Sequence, residues 1–303
     1  MMGMAERRFS QLDVFTAVPL RGNPLAVVHD AVGLTDRQMA DIARWTNLSE
    51  TTFLLPPDDA QADYKLRIFT PAEELPFAGH PTLGSCHAWL AAGGVPRDAG
   101  VVVQQCGVGL VRVRVRQGAD VGVGVGSGAT ADARAGANAP RLAFAAPALR
   151  RTGPVDAMLR SRVVAALGLP DAAVRQLEWI DNGPGWMAAL LPDAATVLAV
   201  KPDFAAMGGL KLGIVGAHPA GREGQFEGRA VVPGRGVPED PVTGSLNAGL
   251  AQWLIGAGLA PDRYVAAQGA ALGRAGRVFV AREGADIWIG GAVCAVVSGT
   301  INL

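Results

Sequence analysis

The sequence predicts an α+β fold of two similar domains, each a curved β-sheet wrapped around one central helix. Three observations carry this expectation. Two stretches of like pattern stand 160 positions apart: Gly79-His-Pro-Thr-Leu-Gly-Ser85 and Glu239-Asp-Pro-Val-Thr-Gly-Ser245. Aligned from Gly79 and Glu239, they share Pro81/Pro241, Gly84/Gly244, Ser85/Ser245, Ala88/Ala248 and Leu90/Leu250. Upstream, Arg67-Ile-Phe-Thr-Pro71 is echoed by Arg229-Ala-Val-Val-Pro233. A period this wide is too long for a solenoid and marks two similar domains. Next, each stretch leads into a helix that is apolar nearly all round, with Leu83, Cys86, Ala88, Trp89 and Leu90 in one and Leu246, Ala248, Leu250, Trp253 and Ile255 in the other. Such a helix is buried on every side. Finally, most of the remaining chain reads as short strands, and a sheet rolled around each helix covers both partners.

In chain order, Phe9 to Val28 reads as two strands broken by the turn Arg21-Gly-Asn-Pro24. Thr35 caps a helix that places Met39, Ile42 and Ala43 on one face. Asn47-Leu-Ser-Glu50 leads into the strand Thr51 to Leu55, so Glu50 sits where a loop enters a strand. A solvated carboxylate is the default at such a place. Tyr64 to Phe69 alternates as a strand, and Val111, Val113 and Val115 alternate with Arg112, Arg114 and Arg116, which puts the arginines on one face. Val121 to Gly126 lacks the spacing of a nucleotide loop, and Gly126 to Pro140 is the best linker candidate. A second unit is expected to open at Arg141-Leu-Ala-Phe144, followed by a helix over Val155 to Gly168 and strands around Trp179 and from Trp186 to Leu191. Strands at Gly276 to Ala281, Ile287 to Ile289, Ala292 to Val297 and Gly299 to Leu303 close the chain.

The chain has 303 residues, enough for two domains of about 150 residues that each own a core. Lys plus Arg and Asp plus Glu both number 27, so no net field draws nucleic acid or an anionic membrane. A small-molecule partner is expected instead. Cys86, Cys106 and Cys294 form no CxxC pair and suit a reducing compartment. With no signal-peptide pattern and no apolar run of the ~18 residues a membrane span needs, a cytoplasmic protein is expected.

The two repeated stretches favour an anion. Proline is tolerated in a first helical turn, Gly leaves backbone donors approachable, and Ser adds a hydroxyl. Helix N-termini there would offer free N–H groups and the positive end of the dipole to a small carboxylate. Ordinary capped helices are the commoner use of this pattern; His80 in one copy and Asp240 in the other add chemistry that a plain cap does not need. His80 and His87 lie two turns apart, about 10 Å along a helix axis, and cannot share a metal. No HExxH, GxSxG or Walker A pattern is present, so no metal or nucleotide cofactor is expected.

Leu12-Asp-Val-Phe-Thr16 with Gly22-Asn-Pro24, Leu48-Ser-Glu50, Arg67 to Pro71, Phe77-Ala-Gly-His-Pro-Thr82 and Glu239 to Ser245 occur in order over essentially the whole chain. Together they resemble the phenazine biosynthesis PhzF-like isomerase family. The resemblance implies the diaminopimelate epimerase-like fold, with residues 1–128 plus 290–303 as the first domain, 129–289 as the second, the active-site cleft between them and the last strand returning to the first domain. It implies a cofactor-independent isomerase that moves a hydrogen between carbons of a small carboxylated substrate, a dihydro-hydroxyanthranilate in the phenazine enzyme. Glu50 would be the acid-base shuttle, and His80, Asp240 and Ser245 would line the site. The Gly84-Ser85 and Gly244-Ser245 turns, with Gly79, would hold the substrate's polar groups. A carboxyl in a poorly solvated site can both take and give a proton. A homodimer is left open.

Two other functions stand beside this one. A two-thiol racemase or epimerase needs a cysteine on either side of the substrate carbon, and Ala78 and Asp240 stand where relatives of that kind would carry them. A non-catalytic binding protein would first lose Glu50, His80 or Asp240, and all three are present.

Overall fold

The computed structural model describes residues 5–116, 141–233 and 238–303. The linker candidate Gly126 to Pro140 and the glycine-rich stretch Val121 to Gly126 lie outside the described residues. The chain divides into two compact units. One holds the described residues up to 116, residues 141–145 and Gly290–Leu303; the other holds Ala146–Ile289.

Unit one contains β1 (Glu6–Val14), β2 (Asn23–Val28), α1 (Asp36–Thr46), β3 (Glu50–Leu55), β4 (Tyr64–Phe69), the two-residue β5 (Glu74–Leu75), α2 (Gly79–Ala91), β6 (Val101–Cys106), β7 (Gly109–Arg116) and β8 (Arg141–Ala145). The neighbours run β1, β2, β3, β4, β6, β7, β8, with β2–β3 and β4–β6 parallel and the rest antiparallel. The capping box expected at Thr35 is present, its hydroxyl taking the Gln38 N–H and the Gln38 side chain taking that of Thr35. Arg141 to Phe144 differs from expectation. It opens no second unit but pairs antiparallel with β7, Val113 opposite Phe144, because its alternating face completes the wall around α2.

Unit two repeats this plan. It comprises β9 (Arg151–Pro154), α3 (Ala157–Leu167), β10 (Gln176–Asp181), β11 (Trp186–Leu190), α4 (Ala194–Ala199), β12 (Lys211–Ala217), β13 (Phe226–Val231), the two-residue β14 (Glu239–Asp240), α5 (Gly244–Gly256), β15 (Arg263–Gln268) and β16 (Gly276–Glu283). Its strands β10, β11, β12, β13, β15 and β16 pair in the same order and the same senses as β1, β2, β3, β4, β6 and β7.

The last strand, β17 (Asp286–Asn302), is one strand of 17 residues, where the sequence was read as three. Gly290-Gly291 looks like a break, yet both glycines are there for close packing. A β-carbon on Gly290 would stand 2.9 Å from the Leu142 carbonyl oxygen, and one on Gly291 would stand 2.5 Å from the Phe15 ring. β17 pairs antiparallel with β1 from Val14–Val293 to Glu6–Asn302, with one bulge at Gln11/Leu12, and it also pairs with β8. The strands of unit one therefore close into a ring, and α2 runs through it, touching β1, β2, β3, β4, β6, β7 and β8. Residues 79–86 of α2 are buried; its last turn emerges, leaving Trp89 and Leu90 half-covered and Ala91 exposed.

The duplicated register is not the one the sequence motifs suggest. Helices α2 and α5 begin at Gly79 and Gly244, an offset of 165 rather than 160. In this alignment Gly84 matches Gly249, and each lets its helix approach a strand. An added β-carbon would meet Leu25 Cδ2 at 2.4 Å or the Ile180 carbonyl oxygen at 2.5 Å. His80 then matches Ser245, and Ala78 matches Thr243 rather than Asp240. Arg67 and Glu74 match Arg229 and Glu239, and each pair makes two parallel charge-assisted hydrogen bonds.

Candidate active site

In unit one the chain delivers three polar side chains to one end of the ring. Asn47 ends α1 in the left-handed conformation, φ 52°, and turns the chain back. The Thr46 and Thr51 hydroxyls join at 2.6 Å, fastening the helix end to the strand that Glu50 begins. Glu50 stands opposite Leu25 in the parallel pairing of β3 with β2, whose first residue is Asn23. His80 occupies the second position of α2.

His80 Nε2 lies 3.3 Å from Glu50 Oε2, with the two side chains 4% and 13% exposed. The other ring nitrogen, Nδ1, lies 3.3 Å from Asn23 Nδ2, and Asn23 is fully buried. Burial lowers the His80 pKa to about 3, so the ring is neutral at physiological pH. From the sequence, Asn23 belongs to a turn and to the Gly22-Asn-Pro24 motif, with no role assigned at the site. Its signal was the Gly-Asn-Pro triplet itself: a β-carbon on Gly22 would stand 2.1 Å from the Val14 carbonyl oxygen, so that turn is built with no room to spare.

Gly84 and Ser85 are corrections. Both are helical, in the second turn of α2, and form no substrate turn. The Ser85 hydroxyl is fully buried and donates to Thr52 Oγ1 at 2.9 Å, and that hydroxyl donates onward to the Ala26 carbonyl. Gly79 is the first helical residue. The N-cap, Ala78, has no side chain with which to cap it, so the first N–H groups are left for another acceptor.

In unit two, Thr243 precedes α5 but does not cap it: its hydroxyl donates to Asp240 Oδ2 and accepts from Gln268 Nε2 at 3.1 Å. Gln268 also accepts from the Thr243 N–H at 3.1 Å and from Asn247 Nδ2 at 2.9 Å, so one buried amide organises the whole turn. Gly244 is the first helical residue and Ser245 the second. The Trp186 indole N–H donates to Ser245 Oγ at 3.0 Å, which leaves the serine proton to be given elsewhere. The position that matches Glu50 in the strand register is Lys211, opposite Trp186, and its ammonium donates to the Pro184 carbonyl.

The thiols are held in the protonated form. Burial raises the pKa of Cys86 strongly and those of Cys106 and Cys294 as well, and neither helix N-cap, Ala78 or Thr243, is a cysteine. Among the described residues no group of three or more His, Cys, Asp and Glu side chains is gathered to hold a metal, and no helix is long and apolar enough to cross a membrane.

Comparison with known proteins gives one consistent answer. The family model described as phenazine biosynthesis-like protein matches residues 12–299. The chain is 33% identical over 275 residues to the trans-2,3-dihydro-3-hydroxyanthranilate isomerase of Pseudomonas chlororaphis, covering 90% of this chain and 89% of that one. It is 36% identical over 250 residues to a Schizosaccharomyces pombe protein named antisense-enhancing sequence 1, covering 80% and 78%. A solved Pseudomonas aeruginosa structure described as a "predicted epimerase" superimposes with a TM-score of 0.74 at 27% identity, covering 97% of this chain and 99% of that one.

Proposed function

Because this chain belongs to the phenazine biosynthesis-like (PhzC/PhzF) family, we propose that it is an isomerase that moves a hydrogen between two carbons of a small carboxylated substrate, with Glu50 carrying the proton. The observation that carries the reading is the buried contact between Glu50 and a neutral His80. A carboxylate sheltered from water, with a neutral imidazole nitrogen 3.3 Å away, keeps its charge for an incoming proton. It takes the proton from an activated C–H. The C–H electron pair becomes the new double bond, the electrons of the old double bond move to its far carbon, and Glu50 returns the proton there. No redox change occurs, and the reaction balances without a co-reactant.

Gly79, Gly244 and Ser245 serve the substrate's polar groups in this reading: uncapped N–H groups and a hydroxyl with its proton to spare suit a carboxylate. Asp240, fixed by Thr243, accepts a substrate N–H or O–H. Thiol-based epimerisation is disfavoured by the raised thiol pKa values and the cysteine-free N-caps. A member that binds a small carboxylate without converting it is the second reading.

Glu50→Gln is the test. It keeps the shape and removes the proton carrier, so turnover should fall at least ~10²-fold while a small carboxylate still binds. A panel of unsaturated and hydroxylated carboxylic acids, the dihydro-hydroxyanthranilate included, followed by NMR for a moved double bond, reports it. The wild-type protein should work without additives and in the presence of a chelator. Binding without conversion across the panel would favour the second reading, and full activity in Glu50→Gln would remove Glu50 from the mechanism.

A further inference from the structure

We infer that Asn23 is a positioning residue: it fixes the tautomer of His80, so that a lone pair faces Asn23 and the ring proton sits on Nε2, the nitrogen nearer Glu50. The geometry requires it. A neutral imidazole has one N–H and one acceptor nitrogen. Asn23 Nδ2 can only donate, and it stands 3.3 Å from Nδ1, so Nδ1 must be the acceptor. The single ring proton is then on Nε2, which stands 3.3 Å from Glu50 Oε2. The reversed tautomer would set N–H against N–H at one end of the ring and a lone pair against a carboxylate oxygen at the other.

The backbone that carries Asn23 is held firmly. Asn23 is fully buried and begins β2 opposite Val14, the last residue of β1. Between them the chain makes a constrained turn. Phe15, fully buried, takes the left-handed conformation at φ 65°, which a bulky residue adopts only when its surroundings enforce it. Asp13 Oδ2 accepts the N–H groups of Arg21 at 2.7 Å and Gly22 at 3.0 Å, locking the residues just before Asn23.

The assignment changes what His80 does. A ring that already carries its proton on Nε2, the nitrogen nearer Glu50, cannot take there the proton that Glu50 collects. His80 is therefore no relay for it, and the transferred proton remains on Glu50. This consequence rests on the isomerase reading, whereas the tautomer itself does not.

The test is long-range proton–nitrogen NMR on protein labelled with nitrogen-15 at histidine, His80 being assigned by its disappearance in His80→Gln. The wild type should show Nδ1 unprotonated and Nε2 protonated. In Asn23→Asp the carboxylate can only accept, so Nδ1 should become protonated. On a substrate that the wild type converts, Asn23→Asp should lower kcat at least ~10-fold with KM within about twofold. The wild-type spectrum decides the matter even where Asn23→Asp does not fold: a protonated Nδ1 there overturns the proposal. So does an Nδ1 that stays unprotonated in a folded Asn23→Asp. If no substrate is converted, the isomerase reading fails while the tautomer result stands on its own.

Discussion

Replacing Gly84 with alanine separates a packing glycine from a substrate-binding one. The new methyl carbon would stand 2.4 Å from Leu25 Cδ2 and 3.0 Å from Val14 Cγ2. Carbon atoms in contact prefer about 3.5–4.0 Å. Leu25 and Val14 are both fully buried, so neither can swing into solvent, and α2 or a strand must shift. Overpacking of this kind costs about 1–3 kcal/mol, from which alanine's better helix propensity recovers at most about 1 kcal/mol. With both figures at their upper end the net loss is about 2 kcal/mol, which should lower the Tm of a unit of this size by roughly 4–8 °C. Gly256→Ala is the control. It ends α5, is exposed, and has nothing within 4 Å of an added β-carbon, so the same substitution there should raise stability by a few tenths of a kcal/mol up to about 1. Thermal unfolding followed by calorimetry, with steady-state kinetics on the same samples, reads both variants. A Gly84→Ala protein with an unchanged Tm and a raised KM would refute the packing argument and return Gly84 to the substrate.

The duplicated ion pairs give a matched comparison. Arg229 and Glu239 are 5% and 4% exposed, and Arg229 also donates to the Val197 and Val200 carbonyls, whereas Arg67 and Glu74 are 21% and 41% exposed. Arg229→Met should therefore cost about 3–5 kcal/mol in chemical denaturation and Arg67→Met about 1 or less; equal costs would show that burial does not set the difference. His80 governs part of the acid limb. Its pKa is about 3 in the folded chain against 6.5 when unfolded, so between those values the unfolded state binds the extra proton and stability falls as pH drops. Replacing it with Asn should flatten the stability profile from pH 6.5 downward by about 1.4 kcal/mol per pH unit, and an unchanged slope would contradict a buried, neutral ring.

Local rules recovered much of this architecture and misread what depends on distant packing. Tyr64 to Phe69 was legible from period two alone, and α1 from a cap and three apolar positions. The two central helices were legible because apolar residues on every side leave a helix no exposed face. Glycine misled twice. Gly84 looked like a turn and Gly290-Gly291 like a strand end, although each is a place where another element comes too close for a side chain, which only tertiary contacts reveal. The repeat was real but its register was not, because Pro-x-x-Gly-Ser recurs five residues out of step with the helices that contain it. Glu50 and His80 were found as separate residues, and the fold supplies their contact. Asn23 stayed hidden because an asparagine after glycine reads as a turn until a histidine is seen beside it.

The closing strand also has a consequence for how the molecule is made. Ala5 and Leu303 exchange both backbone hydrogen bonds, at 2.7 and 3.0 Å, so the first and last described residues lie side by side. During synthesis β1 is made before β17, its partner, and must wait until the whole segment between them has left the ribosome. The strands that carry Asn23 and Glu50 thus fold around a ring that is still open, while β9 to β16 are complete earlier. The same adjacency makes a short peptide from Leu303 to Ala5 geometrically easy. Such a circularised chain, reopened at an exposed turn elsewhere, would let β1 and β17 form as a hairpin at the outset and turn the slowest contact of the ring into one of its fastest.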